Sequence, residues 1–209
     1  TQLWVLPLVE EITSTGHKSR FRQRRIMDIN LKNVNGESLK EVNKRLRKVE
    51  IPEEDIVINE EVKEKAETTM KGYRNVALFG VDSTTGALTK NTRSDSIMIA
   101  SINLDTGECK LVSVYRDTYL NLGNDTYNKC NAAYAKGGPE QAINMLNMNL
   151  DMNITDFVTV GFAGLSDTID ALGGIMIDVD EAEIEHLNNY QLCMAEELGV
   201  DYTPVTKSG

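Results

Sequence analysis

The feature that most constrains the fold is a series of short apolar runs, separated by glycine and asparagine turns, between residue 73 and about residue 180. Short apolar runs bounded by turn residues are typical of buried β-strands. The three clearest predicted strands cover residues 75–81, 97–102 and 110–115. Between the last two, Asp105, Thr106 and Gly107 favour a tight turn, so these two strands are predicted to form a hairpin.

Helical spacing follows the hairpin. Pro139 stands where one helical pattern begins. A second pattern, at residues 162–172, ends at Gly173 and Gly174, as left-handed helix caps prefer. The remaining predicted elements are two short strands and one helix, at residues 157–160, 175–179 and 180–197. This alternation of strand and helix patterns predicts a compact α/β domain.

The first 72 residues have a different character, because they are rich in charge and lack a regular apolar pattern. A basic run at residues 18–25 is either a solvated arm or a segment attracted to anionic lipid head groups or an acidic polymer. A capping-box pattern from Ser38 predicts one short helix that ends before Pro52. We therefore predict a charged N-terminal arm or linker at residues 1–72 and a folded core at residues 73–209.

Charge and motif content exclude several classes of protein. The formal net charge is −10, and an acidic surface repels nucleic-acid phosphates, so no nucleic-acid partner is expected. The cysteines Cys109, Cys130 and Cys193 lack metal-ligand or redox spacing and are expected to be free and mostly buried. No apolar run approaches the ~20 residues of a membrane helix. No dinucleotide fingerprint, Walker loop or zinc-ligand set is present, and Ser94 and Ser96 have no nearby histidine.

Charged residues lie where the predicted strands end. With the hairpin turn centred near Thr106, antiparallel pairing places Asp95 roughly opposite Asp117. The same register places Ser96 opposite Arg116. The first strand adds its own terminal aspartate to this edge if it runs parallel to the third strand. The side chains expected at this charged rim are Arg93, Arg116, Asp82, Asp95 and Asp117.

Two interpretations of the charged rim stay open. It can be a set of surface salt bridges, each worth about 0–1 kcal/mol. Alternatively, a divalent cation holds together carboxylates that otherwise repel one another, and neighbouring arginines supply planar forks that match phosphate oxygens. Hard oxygen ligands beside arginines would form a phosphate or pyrophosphate site.

Five sequence blocks resemble one known family. They lie, in the family's order, at residues 75–82 (NVALFGVD), 93–98 (RSDSIM), 113–118 (SVYRDT), 128–138 (NKCNAAYAKGG) and 167–178 (DTIDALGGIMID). Together they resemble the signature blocks of LytR-CpsA-Psr proteins over about residues 73–190. Tyr115 stands where the family usually has a proline, next to the charged Arg-Asp pair.

The resemblance implies a fold and a function. The fold would be α/β (α+β), with a central mixed sheet flanked by helices. The function would be that of a magnesium-dependent phosphotransferase on the extracellular face of the bacterial cytoplasmic membrane or in the cell wall. Such enzymes transfer a polyprenyl pyrophosphate-linked glycopolymer, of the wall teichoic acid or capsular polysaccharide type, to a peptidoglycan sugar.

The resemblance also implies roles for the charged residues. Asp82 and Asp95 would hold Mg2+ beside the pyrophosphate. Arg93 and Arg116 would contact phosphate oxygens. Asp117 would orient Arg116 or assist removal of a proton from the acceptor hydroxyl.

The resemblance also implies contacts for two parts of the lipid substrate, the pyrophosphate head group and the polyprenyl tail. Lys129 would lie near the pyrophosphate head group. The polyprenyl tail would need an apolar groove, although apolar residues at helical spacing are more often ordinary core. The candidates for that groove are Ile143, Leu146, Phe157, Phe162 and Leu165.

Two segments of the family have no counterpart in these 209 residues: the N-terminal membrane anchor and a later segment rich in arginine. We therefore expect the chain to be a fragment, a cleaved product or a sequence from which residues are missing, with any membrane attachment through an anchor outside it. Two alternative functions stay open. One is a polyprenyl pyrophosphate phosphatase, in which water replaces the sugar acceptor, and the other is a non-catalytic module that binds the lipid or the wall polymer.

Overall fold

The computed structural model describes residues 49–66, 68, 70–83, 92–123 and 125–209. Contacts divide the chain into two compact units. Among the described residues, one unit comprises Asp167–Gly209, and the other comprises the described part of Arg45–Ser166. The helix predicted from Ser38 and the basic run at residues 18–25 lie outside the described residues.

Arg45–Ser166 is built around a mixed four-stranded sheet. The strands of this unit are β1 (Tyr73–Val81), β2 (Ser94–Asn103), β3 (Cys109–Ser113), β4 (Tyr119–Asn121), β5 (Tyr127–Lys129) and β6 (Asp156–Val160). The sheet has the order β3-β2-β1-β6, in which β1 is antiparallel to β2 and parallel to β6. β4 and β5 form a separate antiparallel hairpin. The mixed sheet and its four predicted strands are confirmed.

The described helices are α1 (Glu60–Ala66), α2 (Asn131–Leu150), α3 (Phe162–Ala171) and α4 (Ile184–Leu198). α2 is broken at Gly137 and Gly138, whose backbone angles are not helical. Pro139 begins the second segment of α2, as the sequence predicts. The first segment of α2, before the break, was not predicted.

One face of the sheet packs against α2 and forms the core. Every second residue of β1 from Asn75 to Val81 is buried, as expected for a strand with one face on a core. The ring of Phe79 meets the ring of Tyr134 from α2 edge to face, with 5.3 Å between centroids. Ile56 also packs against this core, although it lies within the predicted N-terminal arm. The predicted division between arm and core stays a prediction.

The β2–β3 hairpin has a register that differs by one residue from the predicted one. Met98 lies opposite Ser113 in the last pair of the ladder. The same register, continued beyond that pair, places Asp95 opposite Arg116, whereas we expected it opposite Asp117. The charged residues still lie at one end of the hairpin, but with different partners.

The turn of this hairpin explains the shift. The Asn103 N–H donates to the carbonyl of Glu108 at 2.8 Å, and the Gly107 N–H donates to the carbonyl of Asn103. The Asn103 side chain also accepts the N–H groups of Asp105 and Thr106, each at 3.0 Å. An asparagine that bonds its own turn in this way sets the turn geometry. The turn is therefore centred between Asp105 and Thr106, half a residue before the predicted centre.

A buried asparagine joins the end of α2 to the start of β6. The Asn147 side-chain amide donates to the carbonyl of Ile154 at 3.0 Å and accepts its N–H at 2.8 Å. Asn147 is fully buried, and the two bonds reproduce the pairing of a neighbouring strand. β6 is thereby fixed against α2 where it enters the sheet.

Residues 175–179 do not form the predicted strand. Val179 exchanges two backbone hydrogen bonds with Gly209, at 2.9 and 3.1 Å. No ladder extends from this pair among the residues that the structure describes. Met176 is 78% exposed, so this apolar run belongs to a surface segment, and the prediction of a strand was wrong.

The end of α3 agrees with the sequence-based prediction, whereas the start of α4 does not. Gly173 and Gly174, just after α3, have φ of 86° and 90°, so the predicted left-handed end is confirmed. α4 begins four residues later than predicted. The reason is a turn in which the Glu183 N–H donates to Asp180 Oδ1 at 3.2 Å and the Asp180 N–H donates to Glu183 Oε2 at 3.3 Å.

Candidate functional site

One cavity is lined by the six charged residues that were predicted to form the site. Its volume is about 330 Å3. The lining residues are Asp82, Thr92, Arg93, Asp95, Arg116, Asp117, Lys129 and Asn131. Three cations and three carboxylates therefore surround one space. The structure brings the six predicted site residues together, and their individual roles stay predictions.

The sheet topology explains this convergence. β1 and β3 both run antiparallel to β2, so the end of β1, the start of β2 and the end of β3 lie at the same edge. Asp82 follows β1, and Asp95 lies at the start of β2. Arg93 immediately precedes β2, and Arg116 follows β3. The expectation that Asp82 joins the edge of the hairpin charges is confirmed.

Asp82 and Ser83, which directly follow β1, are held in place by neighbouring backbone groups. The Ser83 carbonyl accepts the N–H of Phe162 at 3.2 Å. A Cβ atom on Gly161 would collide with the same carbonyl oxygen, so glycine is needed for this close approach. On its other side, the Asp82 N–H donates to the carbonyl of Arg93 at 3.4 Å. These contacts fix the backbone that carries the Asp82 carboxylate.

Arg116 is the centre of the ionic network. Its Nη1 donates to Asp95 Oδ1 at 2.8 Å, and its Nε lies 3.8 Å from Asp117 Oδ2. The two carboxylates thus orient the guanidinium from the start of β2 and from its own loop. The Arg116 side chain is 52% exposed and lines the cavity, so a dissolved anion can reach it.

Lys129 joins the network at the end of β5. Its Nζ lies 2.6 Å from Asp117 Oδ1. The hydrogen bond from Lys129 holds the pKa of Asp117 below its ordinary value. The Asp117 carboxyl is therefore ionised at neutral pH, where it serves as an acceptor for Lys129 and as an orienting group for Arg116.

The first residues of α2 fix the loop that carries Arg116 and Asp117. Cys130 Sγ lies 3.0 Å from the carbonyl oxygen of Tyr115 and 3.3 Å from that of Arg116. The Asn131 N–H donates to the Arg116 carbonyl at 3.2 Å. Burial raises the pKa of the Cys130 thiol, so the thiol keeps its proton and donates to these carbonyls. The loop is therefore attached to the helix by both side-chain and backbone bonds.

The three cysteines differ in exposure. All are free; Cys130 is buried, Cys109 is half-buried and Cys193 is exposed. The expectation of buried thiols is correct for Cys130 and wrong for Cys193, which α4 leaves on the surface.

Two residues that line the cavity were missed by sequence reasoning. Thr92 and Asn131 are only 8% and 6% exposed, although both are polar. Each is close in sequence to a residue that was singled out, Arg93 or Lys129. A polar residue that is buried beside charged neighbours is a useful signal, but burial was not readable from one sequence. Asn131 does lie within the block at residues 128–138 that carried part of the resemblance.

Asp82 and Asp95 offer a donor set that suits Mg2+. Both carboxylates line the same cavity, and Mg2+ is commonly bound by one or two carboxylates together with substrate phosphates. Within the described part of the chain, no group of three His, Cys, Asp or Glu side chains is arranged to hold a metal ion.

The five apolar residues proposed for a lipid groove do not share one environment. Ile143 and Leu146 are fully buried in the core. Phe157 packs against that core and is partly buried. Phe162 and Leu165 of α3 are 44% and 48% exposed. The ordinary-core interpretation is correct for the first two residues, and the lipid role of the others stays a prediction.

Comparison with known proteins gives matches over most of the chain. The model of the LytR_cpsA_psr family matches residues 27–199. The polyisoprenyl-teichoic acid–peptidoglycan teichoic acid transferase TagU of Enterococcus faecalis is 33% identical over 105 residues, which are 50% of this chain and 35% of TagU. The transferase TagV of Bacillus subtilis, of the same described type, is 38% identical over 90 residues, which are 42% of this chain and 23% of TagV. The match thus spans about a third or less of each relative.

A solved structure supports the fold. TagT bound to LIIa-WTA aligns with a TM-score of 0.51 and 22% identity, over 66% of this chain and 49% of the TagT chain. The predicted fold, a mixed sheet flanked by helices, is confirmed. None of the helices that the structure describes has the length and apolar content of a membrane span.

Proposed function

Because the chain belongs to the LytR_cpsA_psr family, we propose that it is a phosphotransferase that attaches a polyprenyl pyrophosphate-linked glycopolymer to peptidoglycan. We assign the polymer to the anionic wall teichoic acid or capsular polysaccharide type. The observation that carries the proposal is the convergence of three cations and three carboxylates on one cavity. The names of TagU and TagV describe transfer of teichoic acid to peptidoglycan, which supports this reaction class.

The cavity suits a diphosphate in size and charge. Its volume of about 330 Å3 lies at the lower end of the range for small-molecule sites, roughly 300–1,000 Å3. Arg93 and Arg116 supply planar forks for phosphate oxygens, and Lys129 supplies a point charge. Arg116 and Lys129 already pair with exposed carboxylates, and exposed ion pairs contribute little to stability. A phosphate can therefore replace these partners at little cost.

Mg2+ is the cofactor that we propose for this site, with Asp82 and Asp95 as its protein ligands. When bound, the ion would neutralise charge on the phosphoryl oxygens. Asp95 also accepts a hydrogen bond from Arg116 Nη1. The same carboxylate thus keeps the guanidinium beside the proposed metal ligands, where both positive groups act on one phosphate.

The reaction needs no nucleophile from the chain. The oxygen of the acceptor hydroxyl forms a bond to the phosphorus that carries the polymer. The bond from that phosphorus to the bridging oxygen of the pyrophosphate breaks, and polyprenyl phosphate leaves. Catalysis is then a matter of position and charge, for which Arg93 and Arg116 stabilise the phosphoryl oxygens.

Asp117 is assigned two tasks in this proposal: to orient Arg116 and to accept the proton of the acceptor hydroxyl. The hydrogen bond from Lys129 lowers the pKa of Asp117, which makes it a weak base while that bond persists. A bound phosphate competes for Lys129, and loss of the hydrogen bond raises the pKa of Asp117. Its strength as a base would therefore increase when the site is loaded.

We place the reaction on the extracellular face of the bacterial cytoplasmic membrane, where the lipid carrier and peptidoglycan meet. The attachment would be through an N-terminal anchor outside these 209 residues. The net charge of −10 disfavours nucleic acid as a partner.

A transfer assay tests the proposed function. The purified chain is incubated with Mg2+, a polyprenyl pyrophosphate-linked glycopolymer and uncrosslinked peptidoglycan, and polymer attached to peptidoglycan is measured. We expect Mg2+-dependent attachment by the wild type and loss of attachment by Arg116→Ala. Arg74→Ala is the matched control, because Arg74 is also paired with an aspartate but does not line the cavity.

The products distinguish the alternatives. Release of polyprenyl monophosphate without attached polymer would indicate a phosphatase, in which water is the acceptor. Binding of the lipid without any turnover would indicate a non-catalytic module. Either result would contradict the transferase proposal.

A further inference from the structure

The β4–β5 hairpin presents two exposed tyrosines on one face. Tyr119 lies opposite Lys129, and Asn121 lies opposite Tyr127. Because every second residue of a strand points to the same side, these four side chains share one face of the hairpin. The rings of Tyr119 and Tyr127 stack with 6.0 Å between centroids and 24° between planes. Tyr119 is 69% exposed and Tyr127 is 53% exposed.

This aromatic face, formed by Tyr119 and Tyr127, has the chemistry of a sugar-binding surface. A cross-strand aromatic pair stabilises a hairpin by roughly 0.2–1 kcal/mol, but that contact leaves more than half of each side chain exposed. Two nearly parallel rings offer a flat apolar surface with phenol hydroxyls at its edge. A pyranose ring has C–H groups on its faces and hydroxyls around its edge, so it can stack on such a surface and form hydrogen bonds beside it.

The aromatic face continues directly into the charged cavity. Lys129 belongs to the same face of the hairpin, and its Nζ contacts Asp117 Oδ1 at 2.6 Å. Asp117 lies two residues before Tyr119 in the sequence. The Thr118 carbonyl between them accepts the N–H of Cys130 at 2.8 Å, which holds this segment beside the end of β5. A sugar stacked on the tyrosines would thus have its edge near Asp117, the carboxylate proposed to accept the proton of the acceptor.

We infer that the aromatic face is the subsite for a pyranose of the acceptor glycan. The acceptor is inferred, and not the sugar of the donor, because the face adjoins Asp117, the carboxylate proposed to accept the proton of the acceptor hydroxyl. The inference rests on the proposed function, since it names where the acceptor of that reaction binds.

Titrations of the purified chain with two soluble probes test the inference. The acceptor probe is a β-1,4-linked tetrasaccharide of N-acetylglucosamine and N-acetylmuramic acid, and the cavity probe is inorganic pyrophosphate with Mg2+. We expect Tyr119→Leu and Tyr127→Leu each to weaken tetrasaccharide binding about fivefold. Pyrophosphate affinity should be unchanged. Leucine keeps an apolar contact across the hairpin but lacks the flat ring.

Three variants serve as controls. Tyr119→Phe and Tyr127→Phe keep the rings and should retain most of the tetrasaccharide affinity. Tyr190→Leu is the matched surface control, because Tyr190 is 73% exposed and lies in α4. Unchanged tetrasaccharide affinity in both leucine variants of the hairpin would overturn the inference, and so would an equal loss in Tyr190→Leu.

The probes also separate this inference from the proposed function. If the wild type binds pyrophosphate through Arg116 while the leucine variants bind the tetrasaccharide normally, only the subsite is wrong. If the wild type does not bind pyrophosphate, the proposed function is wrong. A third probe, N-acetylglucosamine 1-phosphate, represents the donor sugar. A larger loss for this probe than for the tetrasaccharide would assign the face to the donor and overturn the acceptor assignment.

Discussion

Two arginine–aspartate pairs lie at opposite ends of the same sheet. They differ in whether the arginine bonds one aspartate through two hydrogen bonds or is shared between two aspartates. At one end, Arg74 binds Asp156 with two bonds, from Nε to Oδ2 at 3.0 Å and from Nη2 to Oδ1 at 2.9 Å. At the other end, Arg116 binds Asp95 with one bond, at 2.8 Å, and also lies near Asp117. The second pair borders a cavity, whereas the first does not line it.

The difference shows what distinguishes a structural ion pair from a binding site. The hydrogen bond between the Arg74 and Asp156 side chains raises the pKa of Arg74 and lowers that of Asp156, so both groups are satisfied by each other. This pair connects β1 to β6. In the cavity, Asp95, Arg116, Asp117 and Lys129 share partners, and six charged side chains face a space of about 330 Å3. That arrangement leaves room for a further charged ligand, which the bidentate pair does not.

Replacement of each arginine by alanine should give the largest difference between the two pairs. Arg116→Ala should weaken binding of Mg2+-pyrophosphate about 10- to 100-fold, because charge-assisted hydrogen bonds contribute ~1.5–3 kcal/mol. Arg74→Ala should leave this affinity unchanged. Isothermal titration calorimetry measures both. Equal losses in the two variants would show that the cavity does not distinguish the pairs.

The carboxylates provide the next test. Asp82→Ala and Asp95→Ala should each raise the Mg2+ concentration for half-maximal pyrophosphate binding by at least about tenfold, the loss typical even for residues that only support a metal ligand. Asp156→Ala is the control, because its carboxylate belongs to the pair outside the cavity. A wild-type Mg2+ titration in either cavity variant would remove that aspartate from the proposed metal site.

The buried thiol tests whether the cavity pair depends on its support. Cys130→Ala removes the donor to the Tyr115 and Arg116 carbonyls, so we expect a loss of about 0.5–1.5 kcal/mol in the free energy of unfolding. Weaker pyrophosphate binding should accompany it. Cys130→Ser keeps a donor and should recover part of the affinity, and Cys193→Ala is the exposed control. Unfolding in urea measures the stability, and pyrophosphate affinity unchanged in Cys130→Ala would show that the loop holds its position without the thiol.

The smallest predicted effect is the pH dependence of the stability that the Arg74–Asp156 pair contributes. Because Arg74 lowers the pKa of Asp156, the pair contributes stability above the ordinary aspartate pKa and loses it as pH falls through the lowered value. The side chains are 56% and 41% exposed, so solvent screening limits the contribution to about 0.2–1 kcal/mol.

Urea unfolding of wild type and Arg74→Ala at neutral pH and at a pH below the Asp156 pKa measures this effect. The wild type should be the more stable protein at neutral pH, and the difference should disappear in acid, where Asp156 is protonated. A difference of the same size at both pH values would mean that Arg74 acts through packing and not through charge.

The sequence predicts the charged cavity well because its residues lie at the ends of strands with clear apolar patterns. The one-residue error in hairpin register arose from the Asn103 side chain, which bonds its own turn in a way that the strand pattern does not reveal. The β4–β5 hairpin was missed because strands of three residues, such as Tyr119–Asn121, are too short to show an alternating pattern.

Long-range support was also beyond the sequence. Cys130 contacts the carbonyls of Tyr115 and Arg116, which lie 15 and 14 positions away in the sequence. Local sequence patterns do not predict contacts over that separation. The wrong strand at residues 175–179 has a related cause. A short apolar run indicates that a segment can form a strand, but a strand also needs a neighbouring strand with which to form hydrogen bonds.

The interruption of α2 at Gly137 and Gly138 has a consequence for how the protein can change. In a continuous α-helix, one inserted residue rotates everything before it by about 100°. Here Gly138 adopts φ of 67°, so the turns before the break, which include Asn131 and the core residue Tyr134, are not continuous with residues 139–150. An insertion or deletion among residues 139–150 can therefore be absorbed at this break, which gives the helix a place to change length without rotating Asn131 out of the cavity.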